Sequence, residues 1–155
     1  MLSVPVVVGI GPCVPLLKVA ESFRTASLVL DAARKLHACG TFGLEDLSWR
    51  LAALAQPDVG RFLAERYLMP LREEGDFGRL LEETMRAYLA QGQSIARAAG
   101  VLMVHVNTLR YRLRKFEDLT GTSLASTDVI VELAWALEIG GSGSAEAETP
   151  PRALA

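Results

Sequence analysis

The chain has 155 residues, half of them apolar and 22 % charged, and 16 Lys and Arg against 18 Asp and Glu leave a formal charge of −2. That composition supports a buried core and excludes general intrinsic disorder, while the length allows one ordinary domain of roughly 100–150 residues or two small ones. The near-neutral total argues, taken alone, against nucleic acid, and two cysteines without CxxC spacing, Cys13 and Cys39, exclude a disulfide or zinc framework. Both read as packing residues of a reduced, cytoplasmic protein. The opening MLSVPVVVGIG lacks a basic leader segment, and no run reaches the eighteen or so apolar residues of a membrane span.

In chain order, the β-branched run Val4 to Ile10, closed by Gly9, Gly11 and Pro12, predicts a short buried strand. Leu17, Ala20, Leu28, Ala32 and Leu36 recur at helical spacing and predict one long helix from about Val14 to His37, ending near Gly40. Thr41 to Gly43 reads as a brief extended piece. Glu45 and Asp46 then open a helix through Trp49 and Leu51 to Leu54, which Gln56 and Pro57 stop. Such an opening cannot satisfy its own strand faces and edges, so residues 1–57 read as the closing part of a larger α/β domain, with the chain start a truncation.

Asp58 is placed to cap a helix from Val59 to Met69 that carries Phe62, Leu63, Arg66 and Tyr67, with Pro70 as its end or a kink. Residues 58–78 are thus expected to be a connecting helix and linker. Asp76 is placed to cap the next helix, Arg79 to Gln91, whose Leu80, Leu81, Thr84, Met85, Tyr88 and Leu89 share one side before Gly92. Ser94 opens a short helix to about Leu102, and a further helix runs from near His105 to Leu119, before Thr120 and Gly121. Asp128 to Ile139, capped by Ser126 or Thr127, closes a helical domain at 79–140, and 141–155 is low in complexity and expected to be a disordered tail. The fold class is mainly α, with a partial α/β segment in front.

The informative stretch is SIARAAGVLMVHVNTLRYRLRKF, Ser94 to Phe116. A short helix with small residues Ala98 and Ala99, a tight turn, and a second helix anchored by Leu109, Leu113 and Phe116 form the pattern of a helix-turn-helix. At 100° per residue those three lie in one stripe, and Asn107, Arg110, Tyr111, Arg114 and Lys115 fan out opposite it. Arg97, Arg110, Arg112, Arg114 and Lys115 put +5 on this stretch with no acid, which leaves −7 for the rest. A field of that kind suits phosphate binding on double-stranded DNA. The first turns of such a helix enter the major groove, so Asn107, Arg110 and Tyr111 are the base-edge candidates, and Thr108, Arg112, Arg114 and Lys115 the phosphate contacts. His105 reads as a cap or phosphate donor. Arg112 lies nearer the buried stripe and is open to pairing within the fold.

At these residues the chain resembles a family. HVNTLRYRLRKFEDLTG, His105 to Gly121, looks like the signature of the C-terminal DNA-binding domain of the PucR/CdaR family of bacterial transcriptional regulators, with a helix-turn-helix similar to that of the nucleoid protein Fis. LLEETMRAYLAQGQSIARAAGVL and STDVIVELAWAL resemble the segments on either side. Upstream, VVVGIGPCVPLLKVAESFRTASLVLDAARK and GLEDLSWRLAAL resemble the last portion of the GGDEF-like domain that precedes it in these regulators. Family members commonly carry Arg where this chain has Val106. The resemblance implies a sequence-specific transcriptional regulator acting as a homodimer, and the effector-sensing domain usual in the family is not found in this chain.

Glu73, Glu74, Glu82 and Glu83 have no His, Cys or Gly-rich loop beside them and read as solvated carboxylates. VGIGPC lacks the third Gly and the Lys-Ser/Thr of nucleotide loops. No enzyme, cofactor or metal is therefore expected. The alternative to a DNA-binding regulator is a protein-interaction fragment that pairs with a full-length regulator without touching DNA.

Overall fold

The computed structural model describes residues 6–36 and 38–143, and the chain divides into two compact units, 1–57 and 58–155. In the first, strands β1 (Val7–Gly9) and β2 (Gly40–Phe42) pair in parallel, with Val7 opposite Gly40 and Gly9 opposite Phe42. A parallel pair cannot be joined by a hairpin, and helix α1 (Val19–Lys35) is the crossover between them. The expected strand and extended piece are therefore both present, though Val4 and Pro5 lie outside the described residues, and the strand is not buried as expected: Val8 is exposed and Val7 and Gly9 are half-buried, because α1 covers only one face of the pair. The long helix expected from Val14 begins instead with a 3-10 turn, Leu16–Lys18, because Pro15 supplies no N–H to an earlier turn. Its expected end at His37 also lies outside the described residues.

Gly9 and Gly11 approach α1 so closely that a Cβ on either would overlap the backbone carbonyl of Ala26 or Ser22. The glycines of VGIG thus serve strand-to-helix packing. One helix expected over 45–54 is in fact two, α2 (Leu44–Leu47) and α3 (Trp49–Ala55). Ser48 separates them at φ 46°, which turns the chain out of the helical ladder while keeping Leu47 and Leu51 buried. Cys13 and Cys39, expected to be packing residues, are both exposed and unpaired, since both fall in connecting backbone at the surface. Val8 on β1, Val6 and Ile10 on either side of it, and Val19 and Phe23 on α1 are exposed apolar groups of this unit.

The second unit is helical: α4 (Pro57–Arg72), α5 (Asp76–Ala90), α6 (Ile95–Val101), α7 (Val106–Thr120) and α8 (Thr127–Gly143). Helix α4 starts on Pro57, whose missing N–H has no partner to lose at a first helical position, and it continues through Pro70. Asp58 pairs with Arg61 at 3.2 Å rather than capping. Likewise Asp76 is the first residue of α5, paired with Arg79, and Gly75 holds the cap position.

Residues 58–78 are more than a connection. Leu63, Tyr67, Leu68 and Leu71 of α4 join Leu81, Met85, Leu109, Leu113, Phe116 and Leu133 in one core. Helix α4 is clasped to α8 where the Tyr67 hydroxyl donates to Glu132 Oε2 at 2.5 Å and Arg66 Nη1 reaches the same oxygen at 3.2 Å. Burial pushes the Tyr67 phenol up to about 12, and the Glu132 carboxylate adds to the shift, so it donates as a neutral group. Glycines bring helices together here too: a Cβ on Gly60 would overlap Ile139, and one on Gly78 would overlap the Leu71 carbonyl. Helix α8 runs beyond the expected Ile139 to Gly143, and the expected tail from 144 onward lies outside the described residues. Among the described residues, no helix is long and apolar enough to cross a membrane.

Candidate functional site

Helix α6 starts where Ser94 Oγ accepts the Arg97 N–H at 3.4 Å, a side-chain cap of the kind the sequence predicts. Ala98 and Ala99 are buried, and their small side chains let α6 sit close to α5 and α7. The turn that follows returns through Val104, whose N–H donates to Ala99 O at 3.0 Å. Met103 occupies the left-handed region at φ 52° and is 92 % exposed. Gly100 lies inside α6.

His105 is the N-cap of α7: its Nδ1 accepts the Asn107 N–H at 3.2 Å. That role fixes the ring with an unprotonated Nδ1 toward the helix. Gly121 ends the helix at φ 64°, and Glu117 Oε1 then accepts the Leu124 N–H at 2.8 Å, tying α7 to the loop before α8. Leu109, Leu113 and Phe116 are buried in the expected stripe.

Asn107, Arg110, Tyr111 and Arg114 come together on the opposite side, within about 100° of the helix circumference. They line one open depression of about 320 Å³. Asn107 Oδ1 accepts from Arg110 Nη1 at 3.3 Å, so an amide and a guanidinium stand side by side with their remaining donors free to point outward. Thr108 is exposed on the flank and Lys115 is half-buried there. A second groove of about 400 Å³ is lined by Tyr88, Ile95, Leu113 and Leu124 together with Arg110, Arg114 and the acidic Glu117. The depression formed by Asn107, Arg110, Tyr111 and Arg114 can present hydrogen-bond donors and positive charge to an extended polyanion.

Arg112 makes the contact within the fold that the sequence left open to it. It is half-buried, and its Nη1 donates to Thr84 Oγ1 of α5 at 3.2 Å. The sequence reading also passed over Phe77, whose ring lies against that of Tyr111 with centroids 6.3 Å apart. The one signal for Thr84 was a hydroxyl within the otherwise apolar stripe of α5. Among the described residues, no group of three or more His, Cys, Asp or Glu is placed to hold a metal ion.

Residues 81–139 match the family described as the PucR C-terminal helix-turn-helix domain. The chain is 37 % identical over 127 residues to an uncharacterized protein of Mycobacterium tuberculosis, which covers 74 % of this chain and 27 % of that one. It is 30 % identical over 130 residues to the purine catabolism regulatory protein of Bacillus subtilis, covering 82 % of this chain and 24 % of that one. An uncharacterized protein of Thermomonospora curvata is 32 % identical over 125 residues, covering 80 % of this chain and 68 % of that one. The chain spans about a quarter of the length of the mycobacterial and Bacillus relatives.

Proposed function

This chain belongs to the family of proteins that carry the PucR C-terminal helix-turn-helix domain, and from that membership we propose that it is a sequence-specific, DNA-binding transcriptional regulator. The observation that carries the reading is the face of α7 where Asn107, Arg110, Tyr111 and Arg114 converge with no acidic side chain among them. Asn107, Arg110 and Tyr111 contact base edges in the major groove, Arg110 by pairing with guanine and Asn107 with adenine. Thr108, Arg114 and Lys115 meet phosphates, and His105 acts as the cap that starts the helix. One such helix reads a half-site, so two copies on a two-fold axis bind sites one helical turn apart, about 34 Å. The protein acts in the cytoplasm as a regulator and not as an enzyme. The parallel pair and helical crossover of residues 1–57 fit part of a GGDEF-like α/β domain.

The test is a selection of duplexes from a random-sequence pool, followed by gel shifts at several salt concentrations. Arg110→Ala is expected to lose about 1–3 kcal/mol and relax preference at one base position, and Arg114→Ala to weaken all sequences alike and reduce the salt slope by about 1. No enrichment from the pool, or equal binding by both variants, removes the assignment. A second reading, an interaction fragment that pairs with a longer regulator, draws on the exposed Val6, Val8, Ile10, Val19 and Phe23 of the first unit. Co-purification with such a partner, with activity unchanged when Arg110 and Arg114 are neutralised, distinguishes it.

A further inference from the structure

Arg112 lies about 60° of helical rotation from Leu109, on the shoulder between the buried stripe of α7 and its outward face. Its guanidinium reaches Thr84 Oγ1 at 3.2 Å, and that hydroxyl donates its own proton to Leu80 O at 2.6 Å. Thr84 is wholly buried and is left with only acceptor capacity, which selects a donor such as arginine. The preceding residue, Tyr111, lays its ring against Phe77. Two consecutive residues of α7 therefore hold α5 at two points seven residues apart, about 10 Å along its axis. The buried stripe of Leu109, Leu113 and Phe116 anchors α7 but is apolar and non-directional, and these two contacts at its shoulder restrict the remaining roll of the helix about its axis.

We propose that Arg112 is a positioning residue: through Thr84 it sets the roll of α7 that aims Asn107, Arg110 and Arg114, and it makes no phosphate contact of its own. The inference rests on the DNA-binding reading above. Side-chain atoms ride about 6 Å from a helix axis, so a roll of about 10° displaces them by about 1 Å. That is enough to spoil a bidentate contact with a base edge, whose donors must meet two acceptors at once. A phosphate contact, by contrast, tolerates such a shift.

The experiment uses the full chain with Arg112→Met, Thr84→Val, the two combined, and Arg114→Ala. Each is melted thermally and titrated with the duplex enriched from the random pool and with a random-sequence duplex, at several salt concentrations. Arg112→Met and Thr84→Val are each expected to lower the ratio of the two affinities about tenfold, the size of one lost bidentate base contact. The combined variant should fall no further than the worse single one, in affinity ratio and in Tm. Their salt slopes should equal the parent's, whereas that of Arg114→Ala falls by about 0.9. A slope loss of that size in Arg112→Met makes Arg112 a phosphate ligand and overturns the proposal. Additive Tm losses in the combined variant overturn it by showing the two residues uncoupled. If the parent prefers no duplex, the DNA reading fails and the positioning role with it, while the Tm comparison still reports whether residues 84 and 112 act together.

Discussion

Phe116→Ala is expected to destabilise the helical unit by about 3–5 kcal/mol, the usual loss when a buried Phe is truncated and its cavity does not collapse. Phe116 has no solvent exposure and belongs to the core that also holds Leu81, Met85, Leu109 and Leu133. Native domains of this size are stable by about 5–15 kcal/mol, so the change removes a large part of the total. At about 4–8 °C per kcal/mol, the thermal midpoint should fall by about 12 °C or more. Val131→Ala is the control, since that side chain is 57 % exposed and its loss should move the midpoint little. A fall below about 3 °C for Phe116→Ala would mean that α7 is not anchored through this side chain.

The second large effect is expected at Gly78. By helix propensity alone, alanine inside α5 should stabilise the unit by about 1 kcal/mol over glycine. The close approach reverses that sign: the new methyl would overlap the Leu71 carbonyl, and its neighbours there are backbone atoms of α4 that no rotamer change can move aside. Gly78→Ala is therefore expected to destabilise by about 1–3 kcal/mol, as overpacking does when backbone must shift. Denaturant unfolding reads it directly, through a lower midpoint at unchanged slope. A raised midpoint would show that the α4–α5 corner opens without strain.

The helix-turn-helix was legible because its signals are local. The Ser94 cap, the small Ala98 and Ala99, the stripe at Leu109, Leu113 and Phe116, and Gly121 after the last turn each act within a few residues of themselves, and the structure keeps all four. What the sequence concealed depends on distance. Thr84 and Arg112 are 28 residues apart, and nothing along the chain announces that one hydroxyl waits for one guanidinium. The role of α4 was hidden in the same way, because Tyr67 meets Glu132 across 65 residues and its helix looks like a plain connection until α8 is folded onto it. Helix ends misled where two local rules compete. Asp76 resembles a cap, yet Gly75 at φ 59° takes that place and leaves Asp76 to pair with Arg79. The outward grouping of Asn107, Arg110, Tyr111 and Arg114 follows from helical rotation, whereas the base and phosphate contacts proposed for them depend on a partner beyond the chain.

Helix α6 and the turn after it hold a glycine and a methionine in each other's preferred places. Gly100 occupies an exposed helical position with open space around it, where alanine adds about 1 kcal/mol. Met103 occupies left-handed backbone that glycine enters freely. Neither lines the depression formed by Asn107, Arg110, Tyr111 and Arg114. The helix-turn-helix is thus built below the local stability its backbone geometry allows, and this gives it mutational tolerance: a destabilising exchange on the outward face of α7 can be compensated by one substitution at position 100 or 103, without altering any group on that face.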